Sequence, residues 1–343
     1  MSLFGNVAFD NHEQISFFSD LAIGFRAVIA IHRTGPLGTA GGGCRIWPYA
    51  HETDAVRDAL RLSRAMTYKL ALIEIPVGGA KAVVIADPAR DKSEALLTAL
   101  GGAIDRMGGR FIASEDVGTG PADLAVIARS TPWVNLHAPG ADNAGATAYG
   151  VVVGLRAAVR RRLGRGTLEG VTIAVQGLGR VGHSLCRQLA AAGARLTVTD
   201  LDRARVDAVV AELGAQAVPP ETIFDREVDV FSPCALGDVL DDTTVPRLRC
   251  AIVGGSANNP LAHPALADLL GARGILYAPD IAISAGGVLG AAGGDERVVR
   301  GRLDTIGALL EGIFARAERD RSSTHAAAEQ IARERLVAMG GRP

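Results

Sequence analysis

Apolar positions follow two rhythms along this chain. Compact apolar runs at 25–31 (FRAVIAI), 43–47, 81–86 and 110–114 read as strands. Between them, residues 51–69 (HETDAVRDALRLSRAMTYK) put Val56, Ala59, Leu60, Ser63, Met66 and Thr67 on one helical face, and SEALLTALGGAIDRM (93–107) reads as a second helix. The Gly/Pro/Asp/Asn-rich stretch HAPGADNAGA (137–146) reads as a hinge or linker. A helix, TAYGVVVGLRAAVRRRLG, follows it, and then a second alternating series: VTIAVQ, SLCRQLAAAG, RLTVTD, RARVDAVVAELG, VDVFSP, CAIVGGSA and ILYAPD. STHAAAEQIARERLVAM (323–339) closes the chain as a polar amphipathic helix. Strands alternating with helices predict an α/β protein. A chain of 343 residues exceeds what one core usually supports. The expected division is residues 1–135, joined by the tail 323–343, and residues 136–322.

Composition narrows the function classes. A net charge of −1 offers no basic surface for nucleic acid or an anionic membrane, and 4% aromatic residues offer no base-stacking platform. No uncharged apolar stretch is long enough to cross a bilayer, and the N-terminus lacks the pattern of a signal peptide. Cys44, Cys186, Cys234 and Cys250 are scattered, without metal-ligand spacing, which fits reduced thiols in a cytoplasmic protein; no metal site is expected. The 42 glycines cluster inside apolar runs, in GGGCR, PVGGAK, GLGRVG and SAGGVLGAAGG. There they permit close approach of backbone to backbone or to a ligand.

The sharpest local signal is TIAVQGLGRVGHSL. A strand ends at Gln176, Gly177, Gly179 and Gly182 form GxGxxG, and a helix follows at once. The first glycine makes the turn, the second admits a pyrophosphate, and the third lets helix pack on strand. Arg180, Val181 and Gly182 open that helix, where free N–H groups favour an anion. Asp200 ends the next strand, placed to accept from ribose hydroxyls and to repel a 2′-phosphate. The cofactor expected is NAD in a Rossmann-type domain, although Arg203 is of the type that accommodates a 2′-phosphate.

EIPVGGAKAVVIADP poses the chemical question. Lys81 lies between two glycines and an apolar strand, where an unpaired lysine is costly. Lys69 ends the preceding helix, and Asp116 stands where the strand FIASE runs into a loop. Two facing lysines would lower one another's affinity for a proton, so that one could hold a carboxylate while the other serves as base, with Asp116 relaying a proton. The plainer reading has the lysines on the surface and Asp116 capping a helix. It suits Lys69 better than Lys81. His32, His183, His263, Trp47, Trp133 and the run RRRLGR are expected to pack or to face solvent.

These residues resemble the Glu/Leu/Phe/Val dehydrogenase family, through LGTAGGGCR, DALRLSRAMTYK, GGAKAVVIADPARDKSEAL, SEDVGT, TAYGV, AVQGLGRVGHSL, PCALG, GGSANNPLAHP and YAPD. The likeness is strongest to the leucine, valine and phenylalanine branch. It implies a two-domain amino acid dehydrogenase fold, with residues 1–135 and the tail carrying substrate chemistry and subunit contacts. The middle segment would carry NAD. By the same resemblance, Lys69 binds the substrate α-carboxylate, Lys81 activates water and Asp116 transfers a proton. Asn259 lies near substrate and nicotinamide ribose, Thr147 and Ala235 contact the cofactor, and Gly42 and Gly43 line the substrate turn. The implied reaction takes an L-amino acid, NAD⁺ and water to a 2-oxo acid, ammonia and NADH, or the reverse, in a cytoplasmic homo-oligomer of two or more subunits.

Glutamate enzymes of this family place a lysine where Gly41 stands, so an apolar substrate is implied. Met66, Ser114, Val288 and Ala291 complete the implied pocket. The small residues at 41 and 291 favour a phenylalanine-like side chain, with branched-chain substrates also open. Ser284 replaces the family's usual asparagine. Two rival readings are a non-catalytic NAD-binding relative and a 2-hydroxy acid oxidoreductase. The second would ordinarily use a histidine base and has no need of two lysines.

Overall fold

The computed structural model describes residues 3–135, 142–291 and 293–340. The chain divides into two compact units, residues 1–138 with 332–343 and residues 139–331.

The first unit contains β1 (Gln14–Asp20), β2 (Phe25–Arg33), β3 (Ala40–Trp47), α1 (Glu52–Leu72), β4 (Gly78–Ile85), α2 (Glu94–Asp105), β5 (Phe111–Glu115) and α3 (Pro121–Ile127). The strands form one sheet in the order β1-β2-β4-β3-β5. β2 is antiparallel to β1 and β4, whereas β3 is parallel to both β4 and β5. Alternation along each strand sorts side chains between the two faces. Ile29, Ile31, Cys44, Ile46, Ala82, Val84 and Ala113 pack with Leu96, Leu100 and Ile104 of α2. Val28, Ala30 and Val83 pack with Ala55, Ala59 and Leu60 of α1. Gly43, Arg45, Lys81 and Ser114 have the parity of the α1 face, so the strand period alone assigns them one side of the sheet.

The second unit contains α4 (Asn143–Leu163), β6 (Thr172–Gln176), α5 (Arg180–Ala191), β7 (Arg195–Thr199), α6 (Arg203–Leu213), β8 (Gln216–Ala217), β9 (Val230–Pro233), β10 (Ile252–Val253), α7 (Ala265–Ala272), β11 (Leu276–Tyr277), α8 (Asp280–Ile283), α9 (Gly286–Ala291) and α10 (Glu296–Asp320). α11 (Thr324–Ala338) follows, and from residue 332 it belongs to the first unit. There Arg335 donates to the Leu72 carbonyl and Arg333 lies over the Tyr68 ring, 5.3 Å from its centroid. The second sheet runs β8-β7-β6-β9-β10-β11, parallel throughout. Its strand order reverses between β6 and β9, the switch point where doubly wound sheets bind ligands.

Two expectations need correction. Residues 143–146, read as part of a hinge, form the first turn of α4: Asp142 accepts from the Gly145 N–H at 2.8 Å and caps the helix, while 137–141 lie outside the described residues. The sequence reading also passes over α10. Leu303, Ile306, Leu310, Ile313, Phe314 and Ala317 bury its helical stripe, but the glycine-rich run just before it makes the segment read as loop.

His12 and His32 are buried behind α1, their rings 4.9 Å apart. His12 Nε2–H donates to the Leu60 carbonyl at 3.0 Å, and His32 Nδ1 pairs with the Thr67 hydroxyl at 2.9 Å. Burial pushes His12 down to about 4 and His32 below its ordinary value. The unfolded chain therefore binds more protons below about pH 6.5. Stability should fall as pH drops from there toward 4, by up to about 1.4 kcal/mol per pH unit from His12, with His32 acting in the same direction. Urea unfolding between pH 7 and 5 checks this: His12→Asn should flatten the slope, and an unchanged slope would refute the assignment.

Candidate active site

Lys81 sits inside β4, and the flanking pairs Gly41–Gly79 and Cys44–Ala82 bring Gly43 of β3 level with it. On the far side of β3, Gly43 pairs with Ser114 of β5, and Asp116 follows two residues on. A row of positions therefore runs across the sheet from Lys81 over Gly43 toward Asp116. A Cβ on Gly43 would lie 2.7 Å from Asp116 Cβ and 3.0 Å from Lys81 Nζ, so only glycine leaves the lysine its path. Gly42 has a different duty: its Cβ would strike the Ala80 carbonyl, and its small size sets the approach of β3 to β4.

Lys81 is 3% exposed, and its Nζ lies 2.8 Å from Asp116 Oδ2. The same oxygen accepts from Arg45 Nε, also at 2.8 Å. Arg45 Nη1 donates to Asp58 Oδ2 at 2.8 Å, and the Tyr49 hydroxyl donates to that oxygen too. Asp116 caps no helix. Its backbone N–H donates to the Thr119 hydroxyl, which in turn donates to the Cys44 carbonyl, and Lys92 holds the Gly118 carbonyl and Asp123. The loop is thus fixed from both ends.

Burial disfavours the charged form of Lys81 and outweighs the attraction of Asp116, so the ammonium is held below its ordinary value. Burial pushes Asp116 up, yet the charges of Arg45 and Lys81 prevail and keep it well below the usual carboxylate range. Cys44, fully buried on β3, is pushed up to about 12 by burial and stays a thiol. Lys69, in the last turn of α1, is 6% exposed. α1 lies tight on the sheet, since a Cβ on Gly79 would fall 2.0 Å from the Thr67 nitrogen. Met66 is half-buried on the same helix.

Sequence reasoning passed over Arg45, Asp58 and Tyr49. One signal was available: Arg45, 4% exposed, is as anomalous in GGGCRIW as Lys81 in its own strand. A second lies in the counts. Of 36 Lys and Arg residues only three are lysine, at 69, 81 and 92. The chain carries nearly all its positive charge as arginine, which cannot give up its proton.

In the second unit the glycine motif is built as read. Gly177 has φ +97°, and its Cβ would meet Ala235 N at 2.7 Å; the Cβ of Gly182 would meet the Gly177 carbonyl at 2.0 Å. The fold itself demands both. Around Gly179 the nearest protein atom to a Cβ would be Arg205 Nη1, at 3.9 Å, so nothing in the packing demands a glycine there. Gly179 is also the N-cap of α5 and supplies no side-chain cap, which leaves the first-turn N–H groups of Arg180, Val181 and Gly182 facing that space. Asp200 accepts from the Leu178 N–H at 2.5 Å and the Asp202 N–H at 2.8 Å. It braces the loop and retains acceptor sites for other donors. Arg203 pairs with Asp207, so the arginine beside the cradle is Arg205.

Asn259 has φ +49°; its N–H donates to buried Asp280, and its own side-chain nitrogen is buried without a hydrogen-bond partner. Thr147, one turn into α4, lies against Gly287 of α9, the helix that carries Val288 and Ala291. Ser284 donates to the Asp280 carbonyl at 2.7 Å. Among the described residues no cluster suited to a metal ion occurs, and no helix is long and apolar enough to cross a membrane.

Residues 12–133 match the Glu/Leu/Phe/Val dehydrogenase dimerisation domain, and 141–204 with 199–293 match the Glutamate/Leucine/Phenylalanine/Valine dehydrogenase domain. Leucine dehydrogenase of Geobacillus stearothermophilus is 43% identical over 99% of this chain and 94% of its own length. Valine dehydrogenase of Streptomyces coelicolor is 42% identical over 97% and 94%. The crystal structure of L-tryptophan dehydrogenase from Nostoc punctiforme superposes with a TM-score of 0.76 at 40% identity, covering 96% of this chain and 97% of that one. With both domain matches, full-length relatives above 40% identity and the glycine cradle in place, the chain belongs to the Glu/Leu/Phe/Val dehydrogenase family of amino acid dehydrogenases.

Proposed function

We propose that this amino acid dehydrogenase deaminates apolar L-amino acids oxidatively with NAD⁺, and runs the reverse amination of 2-oxo acids with ammonia. The observation that carries the reading is the buried Lys81 ammonium on the Asp116 carboxylate, 2.8 Å away, in a chain that otherwise spends almost all its positive charge as arginine. In this reading the first unit, residues 1–138 with 332–343, is the substrate domain, and the second, 139–331, is the cofactor domain. Lys69 binds the α-carboxylate. Lys81, neutral, takes a proton from the attacking water, and Asp116 holds Lys81 in position and receives or returns that proton. When bound, NAD⁺ supplies the hydride acceptor at its nicotinamide. Gly177, Gly179, Arg180, Val181 and Gly182 would hold its pyrophosphate, Asp200 its ribose, and Thr147, Ala235 and Asn259 its nicotinamide half. The open space at Gly179 and the orphaned Asn259 nitrogen support that fit. The Asp200 carboxylate favours NAD over NADP.

Gly41 supports a bulky apolar side chain: its Cβ would have only Val77 Cγ1 for a neighbour, at an ordinary 3.6 Å, so packing does not require its small size. Gly42, Gly43, Met66, Ser114, Val288 and Ala291 are the other substrate residues in this reading. We place the enzyme in the cytoplasm as a homo-oligomer, in keeping with the dimerisation-domain match.

The test is NADH formation at alkaline pH with a panel of L-amino acids, and ammonia-dependent NADH oxidation with the matching 2-oxo acids. Turnover on phenylalanine-like or branched-chain substrates is expected. NAD binding without turnover on any substrate, or hydroxy-acid oxidation with no need for ammonia, would overturn the reading. The cradle has its own check. Gly179→Ala should keep the native melting temperature and weaken NAD binding at least about tenfold, whereas Gly182→Ala, with its Cβ 2.0 Å from the Gly177 carbonyl, should destabilise the unit itself. Equal effects in calorimetry and dinucleotide titration would count against this division of labour.

A further inference from the structure

Lys81 Nζ and Arg45 Nε each lie 2.8 Å from one oxygen, Asp116 Oδ2, so the two cations are no farther apart than 5.6 Å. Both are buried: the side chains of Lys81 and Arg45 are 4% and 5% exposed, and that of Asp116 is 11% exposed. Asp116 divides its charge between an ammonium and a guanidinium that repel each other in a medium of low polarity. Arginine does not release its proton, whereas lysine does so readily when buried. Arg45 is held in place from its other side by Asp58, whose Oδ2 also accepts from the Tyr49 hydroxyl.

We propose that Arg45 is a positioning residue of the reaction, a permanent cation that shares Asp116 with Lys81 and so makes Lys81 the member of the trio that yields its proton. The inference rests on the amino acid dehydrogenase reading and assigns the neighbouring cation to Arg45 on β3, where the lysine pattern alone pointed to Lys69. The titratable and charged groups around Lys81 are Asp116 from the loop after β5, Arg45 and the Cys44 thiol from β3, and Asp58 from α1, with Tyr49 beyond it. Lys69 is buried further along α1. Of these, Asp116 and Asp58 hold the proton on Lys81, and Arg45 drives it off. Asp116, clamped by Arg45, is an anion at rest, so the proton it receives from Lys81 during turnover is held only in passing.

Because the chain has only three lysines, the proton on Lys81 can be read directly. Full-length protein carrying ¹³Cε-lysine gives three side-chain signals, assigned through Lys81→Ala, and their midpoints follow from a pH titration. Arg45→Gln should raise the Lys81 midpoint by at least about one pH unit and leave that of Lys92 in place. Asp58→Asn, which removes an anion while keeping Arg45, should move the Lys81 midpoint the opposite way. The rising limb of kcat/KM for deamination should shift with each midpoint, so that Arg45→Gln loses about tenfold at a fixed pH on that limb. General loosening of the fold would not produce opposite shifts. An unmoved Lys81 midpoint in folded Arg45→Gln overturns the proposal. If that variant does not fold, an unmoved or raised midpoint in Asp58→Asn overturns it. Wild-type protein without ammonia-dependent turnover would instead refute the dehydrogenase reading, and the NMR midpoints would still decide the role of Arg45.

Discussion

Lys81→Ala is expected to lower kcat for oxidative deamination by about 10²–10⁴-fold, the range in which a positioned general base contributes. KM should change less, because in the proposed division of roles Lys69 holds the substrate carboxylate. The dependence on pH sharpens the expectation. Wild-type kcat/KM should rise with pH as Lys81 loses its proton and level off above its midpoint, which burial has brought down from the ordinary lysine value. In Lys81→Ala that limb should vanish along with the activity. The fold should survive, because Asp116 keeps Arg45 as a partner at 2.8 Å and no buried charge is left alone. Steady-state kinetics from pH 7 to 11, with a thermal melt alongside, checks the whole set. Activity within tenfold of wild type would show that the base is another group.

Asp116→Ala should do the opposite to stability. It strips the shared anion and leaves Lys81 and Arg45 buried within 5.6 Å of each other. Breaking a buried charge cluster by removing one partner costs about 3–5 kcal/mol. Part of that cost is avoided if Lys81 sheds its proton. The destabilisation should therefore be greatest at low pH, where Lys81 must stay charged, and shrink as pH rises. Removing both partners relieves the repulsion, so Lys81→Ala/Asp116→Ala should be more stable than Asp116→Ala alone, with a coupling of about 0.5–3 kcal/mol. Denaturant unfolding at pH 6 and pH 9 tests this. Additive single and double effects would mean that the trio carries no mutual electrostatic energy. Activity should also fall about 10²-fold or more, since Lys81 loses the group that orients it.

The glycines of the two units divide along a similar line. Gly43, Gly79, Gly177 and Gly182 are held small by protein atoms within 3 Å of where a Cβ would sit. At Gly41 and Gly179 the nearest protein atoms would be 3.6 and 3.9 Å away, so packing demands no glycine at either. From sequence alone the two kinds look the same, because both simply lack a side chain. If the proposed substrate reading holds, substitution at Gly41 should alter substrate range without a folding penalty from a close contact.

Much of this protein is legible without coordinates. Period-two and period-3.6 patterns place β2, β4, β5, α1, α2, α5 and α6 close to where they fold, because burying one face is a local, repeating demand. The nucleotide cradle is legible too, since its turn, approach and packing all fall within one strand–loop–helix segment. The anomaly of Lys81 also shows in the chain, as a charge inside an apolar run. Its partner does not: Arg45 and Asp116 stand 36 and 35 residues away, on β3 and beyond β5. What brings the three to one carboxylate oxygen is the order β4-β3-β5 and the parallel register that sets Gly43 beside Lys81. Strand order and register are settled by how whole faces pack, a non-local balance no short window contains. The sequence by itself determined that a lysine would be buried near a dehydrogenase's glycines; only the tertiary structure decided that an arginine would be its neighbour, because a charge pair is a matter of ångströms across strands and not of spacing along the chain.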